Sequence, residues 1–77
     1  MERQIINIDT EFIKLDSLLK FAGLCDTGGM AKNVIKDELV KVNGEIETRR
    51  GRKLYPNDEV EFYGNVVVIG EKWDWSF

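Results

Sequence analysis

The sequence predicts an α+β domain in which two short helices pack on a small, bent, mainly antiparallel sheet. Three features carry that expectation. Ala31, Val34, Ile35 and Leu39 fall at helical spacing on one side of the stretch from Thr27 to Gly44. Asn43-Gly44 is the strongest short hairpin signal in the chain. Glu59 to Phe62 alternates, Val60 and Phe62 against Glu59 and Glu61, and Val66 to Ile69 is a β-branched run suited to a covered strand.

With 77 residues the chain makes one small domain, near the size at which a hydrophobic core is barely sufficient. Hydrophobic residues make up 43% and charged residues 32%, a globular balance rather than a disordered one. Cys25 is the lone cysteine, so an internal disulfide is excluded. Histidine is absent, which removes His-assisted nucleophiles and the usual zinc and iron sites. Cys25 therefore reads as a buried, inert thiol. No apolar run is long enough to span a bilayer, and Met1 to Asp9 lacks the pattern of a signal peptide, so a cytoplasmic protein is expected.

Taken in order, Gln4 to Ile8 alternates weakly and predicts a short first strand. Asp16 is the expected N-cap of the first helix, Leu18, Leu19 and Ala22 are its apolar stripe, and Gly23 is its C-cap. That helix has about two turns and needs tertiary packing to persist. Leu24-Cys25-Asp26 links it tightly to the second helix, so the two form a corner. Thr27 caps the second helix, and Gly28-Gly29 leaves its first backbone N–H groups uncovered. Lys32 and Lys36 share a solvated face one turn apart.

Leu39 to Val42 is the next strand, and Glu45 to Thr48 returns as its partner with Ile46 pointing inward. A charged loop, Arg49-Arg50-Gly51-Arg52-Lys53, follows. Pro56-Asn57-Asp58 turns the chain, with proline fixing φ and asparagine tolerating the left-handed region. Tyr63-Gly64-Asn65 turns it again, and Gly70 ends the last strand. Trp73, Trp75 and Phe77 alternate in the tail and share one face if extended. They read as an edge strand or flap over the core, or as an exposed strip for stacking bases or binding a protein partner.

A net charge of −3 by itself argues against a nucleic-acid partner. The distribution says otherwise. Lys32 to Lys53 carries seven basic residues against four acidic, whereas Leu54 to Phe77 carries one against five. A local basic patch on an acidic body fits selective docking of an anion. The Thr27-Gly28-Gly29 helix start is a place for a phosphate, and four positive charges in the five residues from Arg49 to Lys53 are denser than solubility needs.

The pattern Lys14-Leu15-Asp16, Leu19, Gly23-Leu24, Thr27, Ala31, Ile35, Val40 and Val42-Asn43-Gly44 resembles the S4-type RNA-binding domain, also called the αL motif. The resemblance covers Ile13 to about Phe62 within a single domain of residues 1–77. Gly-Gly-Met-Ala-Lys and Asn-Gly-Glu-Ile-Glu-Thr-Arg-Arg-Gly-Arg-Lys-Leu are similar to a subgroup of small bacterial stand-alone proteins. It implies a non-enzymatic protein without cofactor or metal, binding structured RNA, ribosomal or transfer RNA, through the helix corner and adjacent loop. Lys14, Thr27, Lys32 and Asn43 match family positions.

Together with the basic and glycine residues singled out above, the candidate RNA-binding set is Lys14, Lys20, Thr27, Gly28, Gly29, Lys32, Lys36, Asn43, Arg49, Arg50, Arg52 and Lys53. Three departures stand out. Gly28 replaces the family's usual arginine, a loss of a bidentate phosphate ligand that the arginine loop would have to offset. Glu38 and Asn57 replace common glycines, and the turn at Glu38 is expected to differ. Reversing Arg49, Arg50 and Arg52 to glutamate is expected to abolish RNA binding and leave the fold intact. The rival expectation is a protein-interaction module on the same fold, with weak or lost RNA affinity.

Overall fold

The computed structural model describes residues 2–71. Its elements are β1 (Glu2–Asn7), β2 (Ile13–Lys14), α1 (Leu15–Phe21), α2 (Gly28–Lys36), β3 (Val40–Val42), β4 (Glu45–Ile46), β5 (Lys53–Leu54), β6 (Glu59–Phe62) and β7 (Asn65–Gly70). Five strands form one sheet in the order β1-β7-β6-β3-β4. Its pairs are antiparallel except β1 with β7, which run parallel and bring the first and last strands together. The expected α+β class and mainly antiparallel sheet are therefore present. The aromatic tail, with Trp73, Trp75 and Phe77, lies outside the described residues.

The core lies between one face of the sheet and the helices. Val40, Val42, Val60, Phe62, Val67 and Ile69 from the strands meet Leu15, Leu18 and Leu19 of α1 and Ala31 and Ile35 of α2. Cys25 fills the link between the helices, and Leu54 closes the cluster from β5. Burying each such Leu, Ile or Phe side chain contributes about 1.5 to 3 kcal/mol, which is what holds two helices this short in place.

Three expectations need correction, and one element is new. Asp16 is not the N-cap of α1, because the helix begins at Leu15 and Lys14 occupies that position. Ile46 does not point inward; it is 53% exposed, opposite the exposed Lys41 in the β3–β4 ladder. Leu39 is exposed beyond the end of α2 instead of lying on its buried stripe. β2 and β5 form a separate antiparallel ribbon that the sequence does not announce. Two-residue strands carry no periodicity, and their partners lie about forty positions apart in the chain.

The helix ends show how local chemistry tolerates a departure. At the end of α1, Gly23 has φ +77°, its N–H bonds the Lys20 carbonyl, and the Leu24 N–H bonds the Leu19 carbonyl. α2 closes in the same way, with Glu38 N–H to Ile35 and Leu39 N–H to Val34. Both are Schellman closures, which want glycine at the left-handed position. Glu38 takes φ +64° there, so the turn keeps its geometry and the side chain bears the strain. Both hairpin tips, Asn43-Gly44 and Tyr63-Gly64, place two successive residues at positive φ, the type I′ geometry that matches strand twist. Glu38→Gly is expected to stabilise the domain by about 1 kcal/mol. Urea unfolding of the two proteins measures this, and an unchanged or lower midpoint would contradict it.

Candidate nucleic-acid interface

The segment between β4 and β5 is organised by one buried acid. Glu47 is 6% exposed, and its N–H is fixed to the Val40 carbonyl at 3.0 Å. Its carboxylate accepts from Arg49 Nε at 3.0 Å, Arg49 Nη2 at 3.2 Å, the Arg49 N–H at 3.1 Å and Arg52 Nη1 at 2.8 Å. The Arg49 hydrogen bonds hold the Glu47 carboxyl down to about 2, with Arg52 assisting and burial opposing. Glu47 in turn pushes the Arg49 guanidinium up. A carboxylate with so little exposure to water is tolerated because these donors satisfy it.

The same loop caps α1. Lys14 provides no side-chain cap; instead the Leu15 N–H donates to the Arg52 carbonyl at 2.9 Å and the Asp16 N–H to the Arg50 carbonyl at 3.1 Å. Loop carbonyls thus take the orphan donors of the helix start. Asp16, displaced from its expected capping role, accepts from the Ser17 N–H at 2.7 Å.

In the β2–β5 ribbon, Lys14 stands directly opposite Lys53, and both are exposed. Like charges across a strand pair are destabilising unless something neutralises them. The Lys53 ammonium lies 4.8 Å from the centre of the Phe12 ring, and Phe12 packs on Tyr55 with centroids 6.0 Å apart. Among the described residues none of Lys14, Lys20, Lys32, Lys36, Arg50 or Lys53 is ion-paired.

At α2, Thr27 caps as expected, its hydroxyl accepting from the Met30 N–H at 3.1 Å. A Cβ on Gly28 would meet open space and one on Gly29 only the Thr27 hydroxyl, so packing requires neither glycine. Lys32 is exposed on α2; Lys20 and Lys36 sit in last turns, where the helix dipole favours cations anyway. Hydrogen bonds and ladder register thus gather Lys14, Arg50, Arg52 and Lys53 into one junction. The α2 residues are held by the packing of α2 on α1.

Asn43 has an internal task. Its Nδ2 donates to Asp58 at 3.1 Å, and its Oδ1 accepts from the Glu59 N–H at 3.0 Å, clamping the hairpin tip to the start of β6. Glu47, Phe12 and Tyr55 lie outside the candidate set that the sequence offers. The spacing Glu-x-Arg-x-x-Arg from Glu47 to Arg52 is the signal that points to the first of them. Reversing Arg49 and Arg52 to glutamate would set new carboxylates against buried Glu47, so the fold is not expected to survive that change intact. Cys25 is buried, and desolvation together with the Asp26 charge pushes its thiol up, as befits an inert core residue. Among the described residues no acidic or sulfur cluster could hold a metal, and no helix is long and apolar enough to cross a membrane.

A family model described as an S4 domain matches residues 6–70. A Bacillus subtilis protein named as a probable ribosome maturation protein, RlbA, is 51% identical over 66 residues, spanning 83% of this chain and 93% of that protein. YbcJ of Escherichia coli is 37% identical over 57 residues, 74% of this chain and 81% of its own length. The solution structure of YbcJ, described as revealing an αL motif involved in RNA-binding, matches with a TM-score of 0.67. That match has 31% sequence identity and covers 86% of this chain and 85% of YbcJ.

The depressed Glu47 carboxyl has a consequence for pH. A carboxyl held at about 2 when folded and near 4.5 when unfolded stabilises the fold fully above pH 4.5. That contribution is lost as pH falls through 2. Glu47→Gln is expected to cost about 2 kcal/mol at pH 7, with the difference from the parent shrinking between pH 4.5 and 2. Urea unfolding at stepped pH checks this, and a difference that stays constant down to pH 2 would contradict it.

Proposed function

The chain belongs to the S4 domain family, and from that premise we propose that it is a non-enzymatic cytoplasmic protein that binds structured RNA, ribosomal RNA in particular. Support comes from the family match, from the relatives named for RNA binding and ribosome maturation, and from the charge arrangement. The observation that carries the reading is Lys14 opposite Lys53, beside Arg50, in a junction built by the backbone. Three cations whose backbones meet at one junction, without a carboxylate partner among the described residues, suit a phosphate.

The recognition needs no cofactor and no reacting group. Lys14, Arg50 and Lys53 neutralise phosphates at the start of α1. A second phosphate approaches the N–H groups of Gly28 and Gly29 beside the Thr27 hydroxyl, on the side where Cβ atoms are absent. Lys20, Lys32 and Lys36 add charge along the helices. The corner of α1 and α2 supplies shape, which suits RNA, where structure rather than groove sequence is read. Contacts of this kind position the RNA and make its affinity depend on salt.

Equilibrium binding of the full chain to purified bacterial ribosomal RNA, measured across a salt series, tests the proposal. Affinity is expected to fall with salt, with a log–log slope of about 0.7 to 0.9 per phosphate contacted. A Lys14→Glu/Lys53→Glu variant should bind at least about tenfold more weakly, with unchanged circular dichroism. Salt-insensitive binding, or a double variant that binds as well as the parent, would overturn it.

A further inference from the structure

We infer that Glu47 is a positioning residue that selects which arginine of the loop meets phosphate, an inference that rests on the RNA-binding reading above. Its carboxylate keeps Arg49 and Arg52 on the protein and leaves Arg50 as the loop's phosphate ligand.

The donor geometry carries this. A guanidinium grips a phosphate best with two parallel N–H donors, and Arg49 has already committed Nε and Nη2 to the two oxygens of Glu47. Arg52 is turned inward, its side chain 31% exposed and its Nη1 on the same carboxylate at 2.8 Å. One buried negative charge therefore offsets part of two positive ones. Arg50 differs from both. Arg49 is also open to solvent, its side chain 75% exposed, but Arg50 alone of the three has no ion pair among the described residues, while its carbonyl is tied to the Asp16 N–H at 3.1 Å. The backbone beneath Arg50 is fixed, and its donor fork is open. Three arginines within four positions are thus unequal, and Glu47 makes them so.

A loop of this design trades gross charge for placement. Releasing Arg49 and Arg52 would add mobile cations, which raise attraction for any polyanion while blurring where the phosphate is held. Selectivity and overall affinity should then move in opposite directions.

The test uses the full chain with two probes, purified bacterial ribosomal RNA and unstructured poly(U), each across a salt series. Arg50→Ala is expected to lower the slope for ribosomal RNA by about 0.7 to 0.9, and Arg49→Ala by less than half of that. Glu47→Gln, confirmed as folded by circular dichroism, should steepen the slope for poly(U) and lower the ratio of ribosomal RNA to poly(U) affinity severalfold. Equal slope losses in Arg49→Ala and Arg50→Ala would overturn the inference, even if Glu47→Gln failed to fold. So would a folded Glu47→Gln variant with slope and ratio unchanged. A parent chain with no affinity for either probe would overturn the RNA-binding reading itself, and this inference with it.

Discussion

The start of α1 has no side-chain cap, and the geometry of the candidate interface follows from how that deficit is met. Leu15 and Asp16 donate to carbonyls of Arg52 and Arg50, residues supplied by a loop from the other half of the chain. Carbonyl oxygens are the right partners for the positive end of a helix. The same contact fixes the loop backbone, sets Lys14 opposite Lys53 in the short ribbon, and requires the loop to hold one shape. Glu47 imposes that shape from the inside by accepting four hydrogen bonds from Arg49 and Arg52. Structure and candidate interface are one construction.

The charges of this acidic chain are paired unevenly over its surface. On the sheet, Arg3 pairs with Glu59 and Lys41 with Glu61. Exposed pairs of this kind contribute little stability, but they neutralise the sheet's own charge. The helix lysines, Arg50 and Lys53 have no such partners among the described residues. Net charge averages over both regions and hides the difference. What a polyanion meets is the local field, which falls off over about 10 Å at ordinary ionic strength.

Much of the fold was legible in the sequence because it is written in short-range chemistry. Thr27 caps α2, Asn43-Gly44 and Pro56-Asn57 turn the chain, and Val60 and Phe62 point inward, all as their local patterns predict. The family pattern carried the rest of the architecture. What escaped was non-local. The β2–β5 ribbon has two residues on each side, and the cap of α1 comes from distant carbonyls that have no sequence signature. Nothing in the sequence marks Glu47 as buried, since burial is not visible in a single letter. Ile46, the apolar neighbour, looked the better core residue and is exposed. For the candidate interface the consequence is specific: the sequence offers Lys14, Arg50 and Lys53 as separate candidates, and only the packing brings them into one junction.

The central claim is that RNA docks on the junction of α1 with the arginine loop and on the start of α2, not on the outer sheet face. Backbone amide shifts of the isotopically labelled full chain, titrated with a hairpin-sized fragment of bacterial ribosomal RNA, test it most directly. The largest changes are expected at Lys14 to Asp16, Thr27 to Met30 and Arg50 to Leu54, with Arg3, Ile5 and Val68 little affected. Changes centred on Arg3, Glu59 and Glu61, with the junction silent, would contradict it.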